Sequence, residues 1–283
     1  MNIGSNNQEF ISVGELSVGF SENMMQPTSD LIGEQFCFYY ENGSKAEISF
    51  VDIETLKWTK KENGKHEKMI CSYTAVKPRE NIYFINFIVS FGDSKSLSII
   101  LETKQQIATI ITGVLPATEE LLIPMLKRAE QALPLTAVKT YFEHVSVDAP
   151  FTDNTTKHPK TKDLVGKRVQ FVYSSKDMYE HIYLNEHSYS WHCIAGNEKG
   201  LCDTDRCYYY QIAENLYLFV WNEKVIPTVG IVLEDFDVMR SYGKIYGYED
   251  YSVGRVINFP VGSYATILNK TEYSDMKDLV ANK

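Results

Sequence analysis

Three stretches in the second half of the chain carry the residue types from which acid–base chemistry is built. In Leu216–Glu223 the alternate residues Tyr217, Phe219, Trp221 and Glu223 share one face of an extended strand. Glu223 therefore ends an apolar, aromatic row, where a carboxylate is costly to bury unless it has a task or a partner. Arg168–Tyr173 sets Val169, Phe171 and Tyr173 on one face, and Tyr179, His181 and Tyr183 share a face of the next segment. If these faces line one interior, Tyr173, His181, Tyr183 and Glu223 converge. A carboxyl desolvated among aromatic rings keeps its proton to higher pH and can act as acid or base near neutrality. Glu223, Tyr173 and His181 are accordingly the candidate catalytic residues. Phe171, Tyr179, Tyr183, Trp191, Tyr209, Tyr217 and Trp221 are the candidate ligand contacts. The plainer reading is that these are strand aromatics with satisfied polar tips and a structural histidine.

Such faces need a scaffold, and an internal repeat supplies one. Asp30–Trp58 aligns without a gap on Asp163–Trp191 at an offset of 133, pairing Gly33 with Gly166, Tyr40 with Tyr173, Glu47 with Glu180 and Trp58 with Trp191. The register returns at Asn81–Phe87 over Asn215–Trp221 and at Ser98–Glu102 over Gly230–Glu234. Three matches in one order at nearly constant offset indicate two homologous units, roughly Asp30–Leu115 and Asp163–Leu268. In the second, strands of period 2 are expected at Arg168–Tyr173, Tyr179–Asn185, Tyr189–Ile194, Cys207–Ala213, Leu216–Glu223, Thr228–Glu234, Ser241–Tyr246 and Tyr264–Leu268. Asn42-Gly43 marks a hairpin in the first. Eight short antiparallel strands read as an up-and-down barrel with room for one small ligand, although a β-sandwich fits the same pattern.

The fold expected is thus all-β: two tandem lipocalin-like antiparallel β-barrels with a connecting helix. Residues 1–146 would hold the first barrel and the helix, and 147–283 the second. The helix is expected over Pro116–Leu133, with Leu122, Met125, Leu126, Ala129 and Leu133 as its apolar face and its regular part beginning at Pro124. Asp148–Lys162 reads as a linker. The units are unequal: where the second has Tyr179, His181, Tyr183 and Trp221, the first has Ala46, Ile48, Phe50 and Phe87. The first looks filled, so the ligand site is placed in the second.

Composition narrows the function classes. A net charge of -9 argues against binding nucleic acid, which needs a basic patch. The opening residues MNIGSNNQEF show no basic region followed by an apolar run, and the longest apolar stretch, Ile82–Phe91, is too short for a membrane helix. A cytoplasmic protein with reduced thiols is expected from the five cysteines, with no membrane contact. Cys202 and Cys207 in CDTDRC have no second pair, and His192 and Cys193 fall on opposite faces of a strand, so neither a metal nor another cofactor is expected. Asp203 and Asp205 read as decorations of a loop at the barrel mouth.

The blocks ISVGELSVGF (Ile11–Phe20), DLVGKRVQFVYS, YEHIYLNEHSYSWHC and YLFVWNEKVIP (Tyr217–Pro227) resemble the molybdenum cofactor biosynthesis protein F (MoaF) family. The resemblance covers most of the chain and implies an N-terminal and a C-terminal lipocalin-like half. The second unit is also distantly similar to the phenolic acid decarboxylases, cofactor-free lyases with a lipocalin-like barrel. Their Tyr-x-Tyr strand falls on Phe171 and Tyr173 and their Trp-x-Glu on Trp221 and Glu223. Their arginine has no counterpart near Leu201, Arg206 being the nearest. Three functions stay open. The first is a cofactor-independent lyase or isomerase acting on a small aromatic or unsaturated molecule. The second is a non-catalytic binder of such a molecule, with a homodimer also open. The third is an interaction protein with filled barrels. A cavity above about 300 Å³ in the second barrel would eliminate the third.

Overall fold

The structure is a computed structural model that describes residues 10–274 except 63 and 92. The first nine residues, part of the stretch read above for an export signal, lie outside the described residues. A turn of helix, α1 (Val13–Leu16), precedes β1 (Gln35–Tyr40), β2 (Lys45–Phe50), β3 (Thr55–Glu62), β4 (Lys65–Arg79), β5 (Ile82–Phe91), β6 (Asp93–Glu102) and β7 (Ile107–Val114). Two short helices, α2 (Thr118–Leu121) and α3 (Met125–Glu130), lead to β8 (Lys139–Val147). The second set is β9 (Lys167–Val172), β10 (Met178–Asn185), β11 (Ser188–Ala195), β12 (Cys202–Ala213), β13 (Leu216–Glu223), β14 (Thr228–Asp235), β15 (Arg240–Tyr248) and β16 (Val256–Lys270). Each set closes into an antiparallel barrel in which consecutive strands are neighbours and the last pairs with the first. Closure removes the sandwich alternative.

The repeat is a repeat of turns as much as of strands. Gly33 and Gly166 both adopt left-handed backbone, at φ 85° and 87°. Each donates its N–H across the barrel end, to Phe50 O at 2.9 Å and to Tyr183 O at 2.8 Å, which are equivalent positions. Asn81 and Asn215 share φ near 60°, and Gln106 and Met239 share φ near 53°. A left-handed position cannot slide without moving the strands around it, so these pairs fix one register in both copies.

Two features of the chain path differ from expectation. The helical segment joins β7 to β8 inside the first barrel, and the extended stretch after β8 joins the barrels. The expected single helix is two short ones, because Pro124 lacks the N–H a continuous helix needs and caps α3 instead. Its proposed apolar face points outward, with Leu122 and Leu126 exposed by 74% and 82%. What the segment buries is Arg128, whose guanidinium donates to Glu120 O and Pro134 O.

The barrels pack side by side. Ile82, Phe84, Ile100 and Ile111 on the outside of the first meet Leu218, Val220, Val229, Ile231 and Leu233 on the outside of the second. Strands β13 and β14 are therefore buried on both faces, which is why their sequences run apolar instead of alternating. Arg79 bridges the seam in a bidentate pair with the buried Asp235, at 2.8 and 2.7 Å. Among the described residues no helix is long and apolar enough to cross a membrane. All five cysteines are free.

Candidate functional site

The interiors of the two barrels differ as their sequences do. In the first, Ala46, Ile48, Phe50 and Phe87 are all buried within a continuous apolar core with Phe38, Trp58 and Ile99. In the second, the equivalent positions carry polar aromatic groups, and a cavity of about 40 Å³ remains at one end. It is lined by Tyr173 after β9, Tyr179 and His181 of β10, Tyr189 and Trp191 of β11, and Trp221 and Glu223 of β13. Forty cubic ångströms holds a few water molecules, not an organic ligand, and is below the roughly 300 Å³ that would eliminate the filled-barrel alternative.

The reason is a strap. Residues 10–24, ahead of the first barrel, cross the mouth of the second. Ser12 caps α1 in a capping box with Glu15. The turn of helix so formed directs Val13 into the mouth, where Phe20 follows, leaving them 2% and 4% exposed. Phe20 stacks on Tyr173 with ring centroids 4.3 Å apart, and Phe10 meets Trp191 edge-on at 6.1 Å. Scattered bonds tie the strap, among them Gly14 N–H to Glu249 O at 2.9 Å, Asn23 Nδ2 to Val172 O at 3.1 Å, Ile11 N–H to Glu198 Oε1 at 3.3 Å, Ser21 Oγ to Pro260 O at 3.0 Å and Arg240 to Asn23 O at 2.6 Å.

Glu223 is positioned by a glycine. A Cβ on Gly230 would lie 2.0 Å from the Trp221 ring, so only glycine on β14 lets that indole lie flat over it. Held so, Trp221 Nε1 donates to Glu223 Oε1 at 2.8 Å. Burial pushes the Glu223 carboxyl well above the usual carboxylate range, and nearby Asp205 and Glu198 push it the same way. Glu198 is raised by burial, although it accepts from Tyr179 Oη at 2.8 Å. Asp205 is raised by burial more than Lys224 lowers it, and accepts from Trp191 Nε1 at 3.1 Å. Asp203 and Asp205 belong to β12, not to a loop, because β12 begins at Cys202 instead of Cys207.

His181 is 5% exposed, its Nδ1 has no partner among the described residues, and burial pulls it down to about 3. It is neutral at physiological pH. Tyr173 is pushed up by burial, then by the charges of Glu234 and Glu223. Thr228, the cross-strand partner of Glu223, also lines the cavity with an unpartnered hydroxyl.

Of the residues singled out in sequence, Tyr173, Tyr179, His181, Trp191, Trp221 and Glu223 come together at the cavity. The others point inward but lie deeper. Phe171 packs beneath His181 with centroids 4.7 Å apart, and Tyr183 donates to the fully buried Glu234. Tyr209 stacks on Phe219, and Tyr217 reaches Asp163 at 3.3 Å at the far end. Glu198, Tyr189, Thr228 and the strap complete the lining without having been singled out. Glu198 sits in the Gly196–Gly200 turn, where no alternation signals an inward side chain. Arg206 is exposed on the outer wall, against Tyr208, and does not enter the barrel.

Comparison with known proteins agrees with this architecture. Residues 8–117 match the MoaF N-terminal domain and residues 158–271 the MoaF C-terminal domain. Protein MoaF of Klebsiella aerogenes is 40% identical over 274 residues, covering 94% of this chain and 98% of that one. Among solved structures, a candidate beta-lactamase from Burkholderia vietnamiensis overlays 40% of this chain and all of its own, at 12% identity and a TM-score of 0.32, too slight a likeness to bear on function. Matched in both halves and over nearly its whole length, the chain belongs to the MoaF family.

Proposed function

We propose that this protein binds a small organic molecule in the mouth of its second barrel, beneath the N-terminal strap. The observation that carries the reading is the Phe20 ring stacked on Tyr173: a chain segment from outside the barrel occupies a slot that the barrel's own side chains leave open. Around that slot stand His181 Nδ1 and Thr228 Oγ1 without partners among the described residues, with the Glu223 carboxyl beside them, polar groups of the kind that orient a bound molecule. Withdrawal of Phe20 and Phe10 should enlarge the cavity by the volume of two phenyl rings.

The binding test uses two of the three tryptophans, Trp191 and Trp221, which line the cavity. Titration with small aromatic molecules should change their fluorescence. Phe20→Ala, which removes the occupant of the slot, should strengthen binding about tenfold or more. Unchanged affinity in Phe20→Ala would overturn the strap's role.

Catalysis is the second reading, favoured by one observation. Burial holds the Glu223 carboxyl well above the usual carboxylate range, and its charge acts on Tyr173, the direction a general acid needs. The chemistry would be proton donation, as in a lyase, with Tyr173 orienting the substrate. His181, at about 3, is too weak a base to abstract a proton from carbon and would assist only by hydrogen bonding. Turnover lost in Glu223→Gln with binding retained supports this reading, and turnover retained refutes it.

A further inference from the structure

We propose that the molecule held in the second barrel is an organic ammonium ion carried on a flat ring, with Glu223 as its counter-ion. This rests on the binding reading above and names the chemical class that the site selects.

Charge decides the class. The lining contains two carboxyls, Glu198 and Glu223, and no lysine or arginine. A third, Asp205, stands close enough to act on Glu223. The nearest cation, Lys224, is held by Asp203 at 2.5 Å, by Thr204 O at 2.6 Å and by Asp205 at 3.4 Å. It lines the outer groove, as Arg206 does. A carboxylate or phosphate ligand would be desolvated among acids with no cation to receive it.

The walls and the unpartnered atoms point the same way. Tyr173, Tyr179, Tyr189, Trp191 and Trp221 surround the cavity, and the faces of such rings attract cations. His181 Nδ1 and Thr228 Oγ1 belong to side chains more than nine-tenths buried, line the same cavity and have no partner. With Glu223 Oε2 they offer three acceptors, the number of N–H donors on a primary ammonium. An inorganic cation is the poorer occupant: among the described residues no three His, Cys, Asp or Glu side chains are grouped to hold a metal ion. The flat ring follows from Phe20, whose phenyl already fills the aromatic slot.

Binding is then coupled to a proton. Burial favours the neutral acid at Glu223, beside a neutral His181, the hydroxyls of Tyr173 and Tyr189, and Asp203, Asp205, Glu198 and Lys224. A bound ammonium favours the carboxylate, so the protein's COOH and the free ammonium become an ion pair plus one proton released to solvent. Affinity should rise about tenfold per pH unit over the range in which free Glu223 keeps its proton.

The experiment compares benzylamine, benzyl alcohol and benzoate by isothermal titration calorimetry, on the full chain and on Phe20→Ala, in two buffers of different ionisation enthalpy. Benzylamine should bind at least tenfold more tightly than the alcohol, benzoate should not bind, and about one proton should leave per amine bound at pH 7. Glu223→Gln should abolish the proton release and the preference for amine over alcohol while still binding the alcohol. If alcohol or benzoate binds as tightly as the amine, or no proton is released, the ammonium inference is overturned and the binding reading stands. If none of the three binds even to Phe20→Ala, both fall.

Discussion

Glu234 offers a test of how the second barrel's interior is built. Its side chain projects from β14 into the barrel with no exposed surface. Tyr183 Oη donates to Oε1, while Oε2 has no partner among the described residues. Burial raises the carboxyl from the usual 4.5 to about 8, with the Tyr183 hydrogen bond and then Lys167 pulling the other way. The folded state therefore keeps a proton that the unfolded chain gives up at lower pH. Stability from this group is complete below about pH 4.5 and is lost as pH rises toward 8. A gap of 3.5 pH units corresponds to roughly 5 kcal/mol at most, at about 1.4 kcal/mol per unit. Glu234→Gln keeps the shape and still accepts from Tyr183, but it cannot ionise. The variant should match the parent at pH 4.5 and exceed it by several kcal/mol at pH 8.5. Urea unfolding followed by tryptophan fluorescence at unit steps of pH measures this difference. Glu223, Glu198 and Asp205 tilt both proteins alike, so subtraction isolates Glu234. A difference that stays flat from pH 5 to 9, or grows toward acid, refutes the reasoning.

Two further predictions concern the seam between the barrels. Arg79→Ala strands the buried Asp235 with only the backbone N–H groups of Asp237 and Val238, and should cost about 3 kcal/mol in urea unfolding; Arg79→Lys, lacking the two-pronged fork, should recover only part. Lys244, fully buried and bonded to Ser96, is driven well below its ordinary value by burial, so burial opposes its charged form at a cost that shrinks as pH rises. Lys244→Met should raise the urea midpoint at pH 7, with the gain narrowing toward pH 10; a loss at pH 7 would show that the amine is structurally required.

What sequence could and could not show follows from how each feature is encoded. The duplicated barrels were legible because Gly33 and Gly166, Asn81 and Asn215, and the alternating strands between them encode local geometry twice. The eighth strand of the first barrel, Lys139–Val147, was missed because it has no recognisable counterpart at the repeat offset and follows the broken helix. Alternation also fixes which side of a strand a residue faces, not how far along the barrel axis it lies. Tyr173 and Tyr183 read alike in sequence, yet one reaches the cavity and the other ends on Glu234. The strap was illegible for a different reason. Its partners lie far away in the chain, as Gly14 does from Glu249, and no local period records such a contact.

On the binding reading proposed above, that same remoteness suits the strap to act as a cover. The barrels are held by continuous ladders and by cores of buried rings, whereas the strap is held by isolated hydrogen bonds, each worth about 1 kcal/mol net, and by two deeply buried apolar side chains. Its release would break no ladder, so on the proposed reading the mouth should open at a smaller cost than unfolding either barrel. The first barrel is filled by Ile48, Phe50 and Phe87, and its outer face buries β13 and β14, the strands that carry Glu223 and Gly230. One copy of the duplicated unit thus stiffens the wall behind the site, and the chain preceding it supplies the cover. On this division of labour, mutations in the first barrel's interior should affect stability, and mutations in the strap should affect how readily a ligand enters and leaves.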